Sequence, residues 1–157
     1  MIIANWKCNG SKKMIQDWLK HYKDTYIPFE NTFVGIAPPY IYVEQLINLI
    51  NVHGLDIEIG VQDIDVSSGA RTGAISVDMI QDMECQFIIL GHSERRTIFD
   101  ESNESVSAKL DLVGNKVQTI LCVGESAKEN NDKETWNVLE DQLSVIKGKV
   151  LPSSFSV

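Results

Sequence analysis

Short apolar runs alternate along this chain with stretches whose apolar residues recur at helical spacing, and the alternation repeats five times. Met1 to Trp6 is the first apolar run and predicts a strand, closed by the polar Lys7-Cys8-Asn9-Gly10. Ser11 then caps a helix carrying Met14, Ile15, Trp18, Leu19 and Tyr22 on one face, a stripe that reads as core. Pro28 falls in a loop. Thr32 to Ala37 predicts the second strand, and Pro38-Pro39 forces a turn at its end. The next helix covers Ile41 to Asn51, with Val43, Leu46, Ile47 and Ile50 on one side and Gly54 closing it. Ile57 to Val61 is the third strand, followed by a long polar loop, Gln62 to Gly73, of a length that usually carries function in a compact domain.

A short helix, Ser76 to Met83, leads to the fourth strand, Phe87 to Leu90. Ser93 is expected to cap a helix after it, with Glu94 in the first turn, where negative charge is favoured. Ser102 or Asn103 caps another helix, with Val106, Leu110 and Val113 inward and Gly114 as its stop. The fifth strand is Val117 to Val123, ending at Gly124-Glu125. The last helix, Asp132 to Lys147, places Trp136, Leu139, Leu143 and Ile146 on one face before Gly148. The charge run Lys128 to Glu134 reads as a solvated surface.

Strands alternating with helices imply a parallel sheet with right-handed crossovers, in one partial domain over residues 1–157. An open doubly wound sheet and a (β/α)8 barrel both fit that order. The open sheet usually shows a Gly-rich phosphate loop after its first strand, and none is present. Polar residues instead follow the first, third, fourth and fifth strands, which suits a barrel whose site gathers from many strand ends. The expected fold is therefore α/β, the first five βα units of a parallel (β/α)8 barrel.

The chemistry concentrates where the fourth strand ends, at Gly91-His92-Ser93-Glu94-Arg95-Arg96. A histidine just outside a helix N-terminus is expected to stay a neutral imidazole, able to donate a hydrogen bond to a developing oxyanion. The residues alone leave open that His92 is a turn histidine capping backbone groups, and that Lys7 is an exposed surface lysine.

Composition narrows the partners. With 157 residues, 43% of them hydrophobic, the chain can bury one core of ordinary size. A net charge of −8 argues against nucleic acid or a membrane surface, which call for basic patches, but one lysine in a cleft can still hold a small anion. Cys8, Cys85 and Cys122 show neither paired nor metal-ligand spacing, so no metal is expected, and Cys85 and Cys122 read as small buried hydrophobes. The N-terminus lacks a basic n-region, and no apolar run approaches the roughly 20 residues of a membrane helix. A reduced, cytoplasmic compartment is expected.

The strand ends also resemble a known family. Asn5-Trp6-Lys7-Cys8-Asn9-Gly10 is similar to the N-W-K-x-N-G signature of triosephosphate isomerases, and Gly91 to Arg96 matches their G-H-S-E-R-R without a substitution. Gly69-Ala70-Arg71-Thr72-Gly73 resembles their third loop, and Leu121-Cys122-Val123-Gly124-Glu125 their C-[VI]-G-E after strand five. The resemblance implies a TIM barrel and interconversion of dihydroxyacetone phosphate and glyceraldehyde 3-phosphate through an enediolate, in glycolysis and gluconeogenesis, without a cofactor. It implies that His92 polarises the substrate carbonyl and shuttles a proton. Lys7 would set positive charge against the phosphate-bearing substrate, Asn5 would hydrogen-bond the substrate, and Glu94, counted with His92 and Lys7 in the catalytic set, would position Lys7 or its neighbours. It further implies a homodimer contacted through Thr72 and Gly73. Ala74 stands where the family carries Glu and Arg71 where it carries an aromatic or His, so an interfacial ion pair is absent or rebuilt through Arg71. Cys122 and Glu125 would pack behind the fourth-strand loop.

The family's catalytic glutamate, in a Y-E-P-V-W motif, its lid and its phosphate loops do not occur in these 157 residues. The chain reads as truncated before strand six and inactive by itself, with exposed sheet edges that make it loosely packed or poorly soluble. The alternative is a non-catalytic half-barrel acting as a binding or assembly module.

Overall fold

A computed structural model describes residues 1–27, 31–149 and 155–157. The expected loop at Pro28 lies outside the described residues. Among them, β1 (Ile2–Asn5), β2 (Val34–Ala37), β3 (Glu58–Val61), β4 (Phe87–Leu90) and β5 (Gln118–Leu121) form one parallel sheet in sequence order. That order separates the two architectures. A doubly wound sheet reverses direction at a switch point, whereas a barrel lays each strand beside the one before it. The sheet is a curled half-barrel, the first five βα units of a (β/α)8 fold. A single pairing of Ser156 with Ile120 continues it past β5.

Alternation along the strands sends side chains to two separate cores. Ile36, Ile59, Val61, Ile88, Leu90 and Leu121 meet the helices. Ala37, Phe87 and Ile89 lie on the other, concave side, with Ile3, Phe33, Ile120 and Cys122 against them. Phe87 fills most of that side and is fully buried. Two glycines in neighbouring strands make this possible. A Cβ on Gly35 would lie 2.6 Å from the Phe87 ring, and one on Gly60 would lie 2.5 Å from both the ring and the Phe87 carbonyl oxygen. Phe33 closes the cluster edge-on, ring centres 5.8 Å apart.

The helices follow the apolar stripes. In α1 (Lys12–Thr25), Ser11 accepts the Met14 N–H, and Ile15 and Leu19 are buried. Trp18 packs edge-on against Trp6 and stacks on Tyr22. A short 3-10 turn, Tyr40–Tyr42, precedes α2 (Val43–His53), so Ile41 is exposed and outside the α-helix predicted from it. Gly54 ends α2 in the left-handed conformation. Helix α3 (Val77–Asp82) is capped by Ser76, α4 is Ser93–Ile98, and α5 (Asn103–Val113) is capped by Ser102.

The long final helix predicted over Asp132 to Lys147 is broken instead. Ser126 and Glu129 form a reciprocal cap on α6 (Ala127–Asn131), after which come α7 (Thr135–Leu143) and a 3-10 turn, Ser144–Ile146. The left-handed Lys133 separates α6 from α7. Trp136, expected on the core face, is 82% exposed, and the buried contacts come from Gln142 and Val145.

Gly60→Ala should destabilise the fold by about 1–3 kcal/mol, the usual cost of overpacking against a fixed backbone atom. Gly124→Ala is the control, because a Cβ there meets nothing within 4 Å, and its effect should stay within about 0.5 kcal/mol. Urea unfolding midpoints compare the two, and coincident midpoints would refute the packing of Phe87 against Gly60.

Candidate active site

Parallel strands deliver their C-terminal ends to one rim, and three of the expected residues meet there. Lys7 follows β1, and His92 and Glu94 follow β4. The Lys7 ammonium lies 2.9 Å from Glu94 Oε1. Glu94 is also the hinge to His92, since its backbone N–H donates to His92 Nδ1 at 3.3 Å. A ring nitrogen that accepts carries no proton, so in the neutral imidazole the proton sits on Nε2 and that atom is the donor. Glu94 Oε2 lies 3.5 Å from the same Nδ1, a neighbour rather than a partner while Nδ1 accepts from the backbone.

The cap of α4 differs from the one expected. His92, and not Ser93, is the N-cap, with its imidazole in the place a serine hydroxyl usually takes. Ser93 is the first helical residue, and its carbonyl accepts the Thr97 hydroxyl. The cap fixes both the tautomer and the ring of His92, and it is also the backbone contact that a turn histidine would make.

The lysine hydrogen bond, ahead of other causes, holds the Glu94 carboxyl below the ordinary carboxylate range. Asn5 turns its Oδ1 to the Lys7 N–H at 2.9 Å. It therefore braces the lysine turn, and its amide nitrogen has no hydrogen-bond partner among the described residues.

The two arginines of the motif point elsewhere. Arg96 donates from Nε to the Gly91 carbonyl (2.8 Å) and from Nη1 to Asn103 Oδ1 (2.6 Å), and Asn103 in turn donates to Asp141 Oδ2 (2.7 Å). Gly91 is left-handed, and a Cβ on it would lie 2.8 Å from Arg96 Nη2. Arg95 reaches Asp63 at 2.8 Å and lies over the Phe99 ring. There it joins a buried cluster not expected from the sequence, in which Lys109 bridges Asp63 (2.7 and 2.8 Å) and Glu101. Burial raises the Asp63 pKa in spite of its cationic neighbours.

Thr72 and Gly73 stand apart, in an exposed turn closed by the Ala74 N–H to the Arg71 carbonyl. Arg71 forms a two-pronged pair with Asp65 of its own chain, at 2.6 and 3.1 Å. Cys122 is half-buried rather than buried, with its carbonyl beside Gly91, and burial pushes the Cys85 thiol up to about 11. Among the described residues, the hydrogen bonds of Glu125 run to its own following segment rather than to the fourth-strand loop. Glu125 accepts from Asn130 (2.8 Å) and Thr135 (3.3 Å), because the break between α6 and α7 presents those donors. Gln142 grips both backbone groups of Gly124, beside Glu125, at 2.8 and 3.0 Å. No helix of the described residues is long and apolar enough to cross a membrane.

The Lys7–Glu94 pair has a titration signature. A carboxylate whose folded pKa is depressed keeps its charge to lower pH than in the unfolded chain, and the link is lost as pH falls through the depressed value. Carboxyl carbon NMR of Glu94 should give a midpoint below that of exposed glutamates, and Lys7→Met should move it upward. An unmoved midpoint would mean that the pair does not form in solution.

The family model described as triosephosphate isomerase matches residues 1–155. A triosephosphate isomerase of Buchnera aphidicola subsp. Schizaphis graminum is 40% identical over 152 residues, covering 93% of this chain and 58% of the relative. That of Buchnera aphidicola subsp. Cinara cedri is 37% identical over 149 residues, covering 93% and 59%. That of Erwinia tasmaniensis is 35% identical over 148 residues, covering 93% and 57%. The chain thus spans less than three-fifths of the length of these curated relatives. With the barrel order of its strands and the meeting of Lys7, His92 and Glu94 at their ends, the chain belongs to the triosephosphate isomerase family.

Proposed function

We propose that these five βα units carry the electrophilic half of a triose-phosphate isomerase site, for the interconversion of dihydroxyacetone phosphate and glyceraldehyde 3-phosphate. The observation that supports it most is that one residue, Glu94, fixes both the imidazole of His92 and the ammonium of Lys7. A neutral histidine electrophile paired with a glutamate base is the standard account of this very family. In this reading His92 Nε2–H donates to the carbonyl oxygen of the triose as it gains charge. Lys7 lies against the phosphate-bearing substrate and the enediolate, stabilising charge that develops in the transition state. The Asn5 amide is free to bind the substrate from the same rim.

The proton on carbon needs a base within hydrogen-bond reach. Glu94 is held by Lys7, and Glu125 by Asn130 and Thr135. In this reading neither carboxylate at the rim is left to act as that base. The half-barrel as a non-catalytic assembly module is the weaker reading, since such a module has no use for a histidine and a lysine so oriented.

A second copy of the chain is the proposed partner, in a cytoplasmic homodimer. The exposed Thr72–Gly73 turn of one copy would seat at the mouth of a cavity of about 350 Å³ in the other, lined by Tyr40, Asp63, Arg95, Phe99 and Lys109 and on one side by that copy's own Gly73 turn. Glu101 Oε2 is buried there without a partner among the described residues, and Phe99 and Ile98 are exposed beside it.

The deciding assay is triose-phosphate isomerisation, with the intact mass of the protein from its native source. The 157-residue chain should show no turnover, and the active species should have a mass near 27 kDa, that of a barrel of about 250 residues. In that species His92→Gln should lower kcat by about 10²–10⁴-fold. A native mass of 17.6 kDa without activity would favour the assembly module, and robust activity at that mass would overturn the missing base. Thr72→Arg should shift the sedimenting species of the native protein from dimer to monomer; an unchanged dimer would remove this turn from the interface.

A further inference from the structure

Lys7 is held in a conformation that a lysine does not choose. Its φ is +52°, in the left-handed region that favours glycine, inside a turn closed by the Asn9 N–H to the Trp6 carbonyl at 3.1 Å. Such a conformation persists only where the surroundings over-determine it. Asn5 takes the Lys7 N–H, and Glu94 takes the ammonium. The Lys7 carbonyl is held by a residue from a different strand. Gln62, the first residue past β3, donates from Nε2 to the Lys7 carbonyl at 2.8 Å and to the Ala37 carbonyl at 2.9 Å. Ala37 O also accepts the Trp6 N–H at 3.0 Å. One half-buried amide therefore ties together the ends of β1, β2 and β3, with both of its protons directed at carbonyl oxygens.

We infer that Gln62 is a positioning residue for the Lys7 ammonium. It acts through the Lys7 backbone, by keeping the turn left-handed so that the side chain meets Glu94 beside His92. The position demands an amide, because the side chain must donate twice, into two acceptors that come from separate loops. Neither a methionine of similar length nor a carboxylate can do so. The inference rests on the proposed reading of Lys7 as a substrate-facing group, but its geometry stands without any substrate.

The test follows the Lys7 ¹⁵Nζ signal of the full chain, assigned by its loss in Lys7→Arg, with the methyl signals of the buried Leu46 and Val106 reporting the core. In Gln62→Met the Lys7 signal should move to where Glu94→Gln places it, with the core methyl signals unmoved. In Gln62→Glu it should be displaced at neutral pH and return part of the way as pH falls. An introduced carboxyl that faces two carbonyl oxygens is disfavoured as an anion and protonates early, whereas Glu94 protonates late, which leaves a window for the return. A loop brace without influence on Lys7 would show no such pH-dependent return. Should Gln62→Met lose the core signals, Gln62→Glu at the acid end of that window decides instead. An unmoved Lys7 signal in a folded variant overturns the inference. Titration of the protein from its native source with dihydroxyacetone phosphate separates the two readings: a Lys7 signal that responds to Gln62→Met but never to the triose would overturn the proposed function and leave the positioning role standing.

Discussion

The burial of one phenylalanine on the concave side of the sheet governs the rest of this structure. A parallel sheet must be covered on both faces, and the helices cover only one. Phe87 covers the other by lying over Gly35 and Gly60 in the two strands next along the sheet. Burying such a ring contributes about 1.5–3 kcal/mol, and its shape matters as much as its area. A side chain at either glycine would hold the strands off the ring and flatten the curl. With the curl, the ends of β1, β3 and β4 converge, and Lys7, Gln62 and Glu94 come within reach of one another. The site is in that sense a consequence of two missing Cβ atoms at the centre of the sheet.

Electrostatics then sends the charges of one short motif in three directions. Glu94 faces the rim, Arg96 turns back under Gly91 to reach α5, and Arg95 enters the buried acidic cluster. That cluster is not a simple source of stability. Asp63 touches Lys109 and Arg95, and contact with two cations would lower its pKa; burial nevertheless raises it, so desolvation outweighs pairing there. Leaving Lys109 out would strand two carboxylates, while replacing the whole group by apolar residues would cost far less. The cluster's use is directional: it ties α4 and α5 to the end of β3.

The alternation of strands and helices and the caps at Ser11 and Ser102 were legible in the sequence, since each depends on residue type and short spacing. The pairing of Glu94 with Lys7 joins two distant strand ends and was implied only by the family resemblance. Lys109 was legible in principle. It falls between Val106, Leu110 and Val113 on the apolar face of α5, and a lysine there implies a buried counter-charge. Trp136 misleads because helical periodicity says nothing about where a helix breaks, and the break after α6 turns that residue outward. Frequency favours Ser93 as a cap, although histidine can accept the same N–H. The paired hydrogen bonds of Gln62 could not be read at all, because they join carbonyls whose neighbourhood exists only once three strands are assembled.

For the Lys7–Glu94 pair, such assembly matters more to the proposed chemistry than to stability. Its side chains are 51% and 42% exposed, and a pair so open to water contributes little to folding. That weakness suits the role proposed above for Lys7. A tightly buried lysine would be held too firmly by its partner to follow the charge that grows on an enediolate. A free one would have to be ordered during the reaction, and the reorganisation would diminish its electrostatic effect. Held at its backbone by neighbours and at its tip by one exposed carboxylate, Lys7 is ordered before any anion arrives. It can still turn toward that anion by releasing a single solvent-exposed contact.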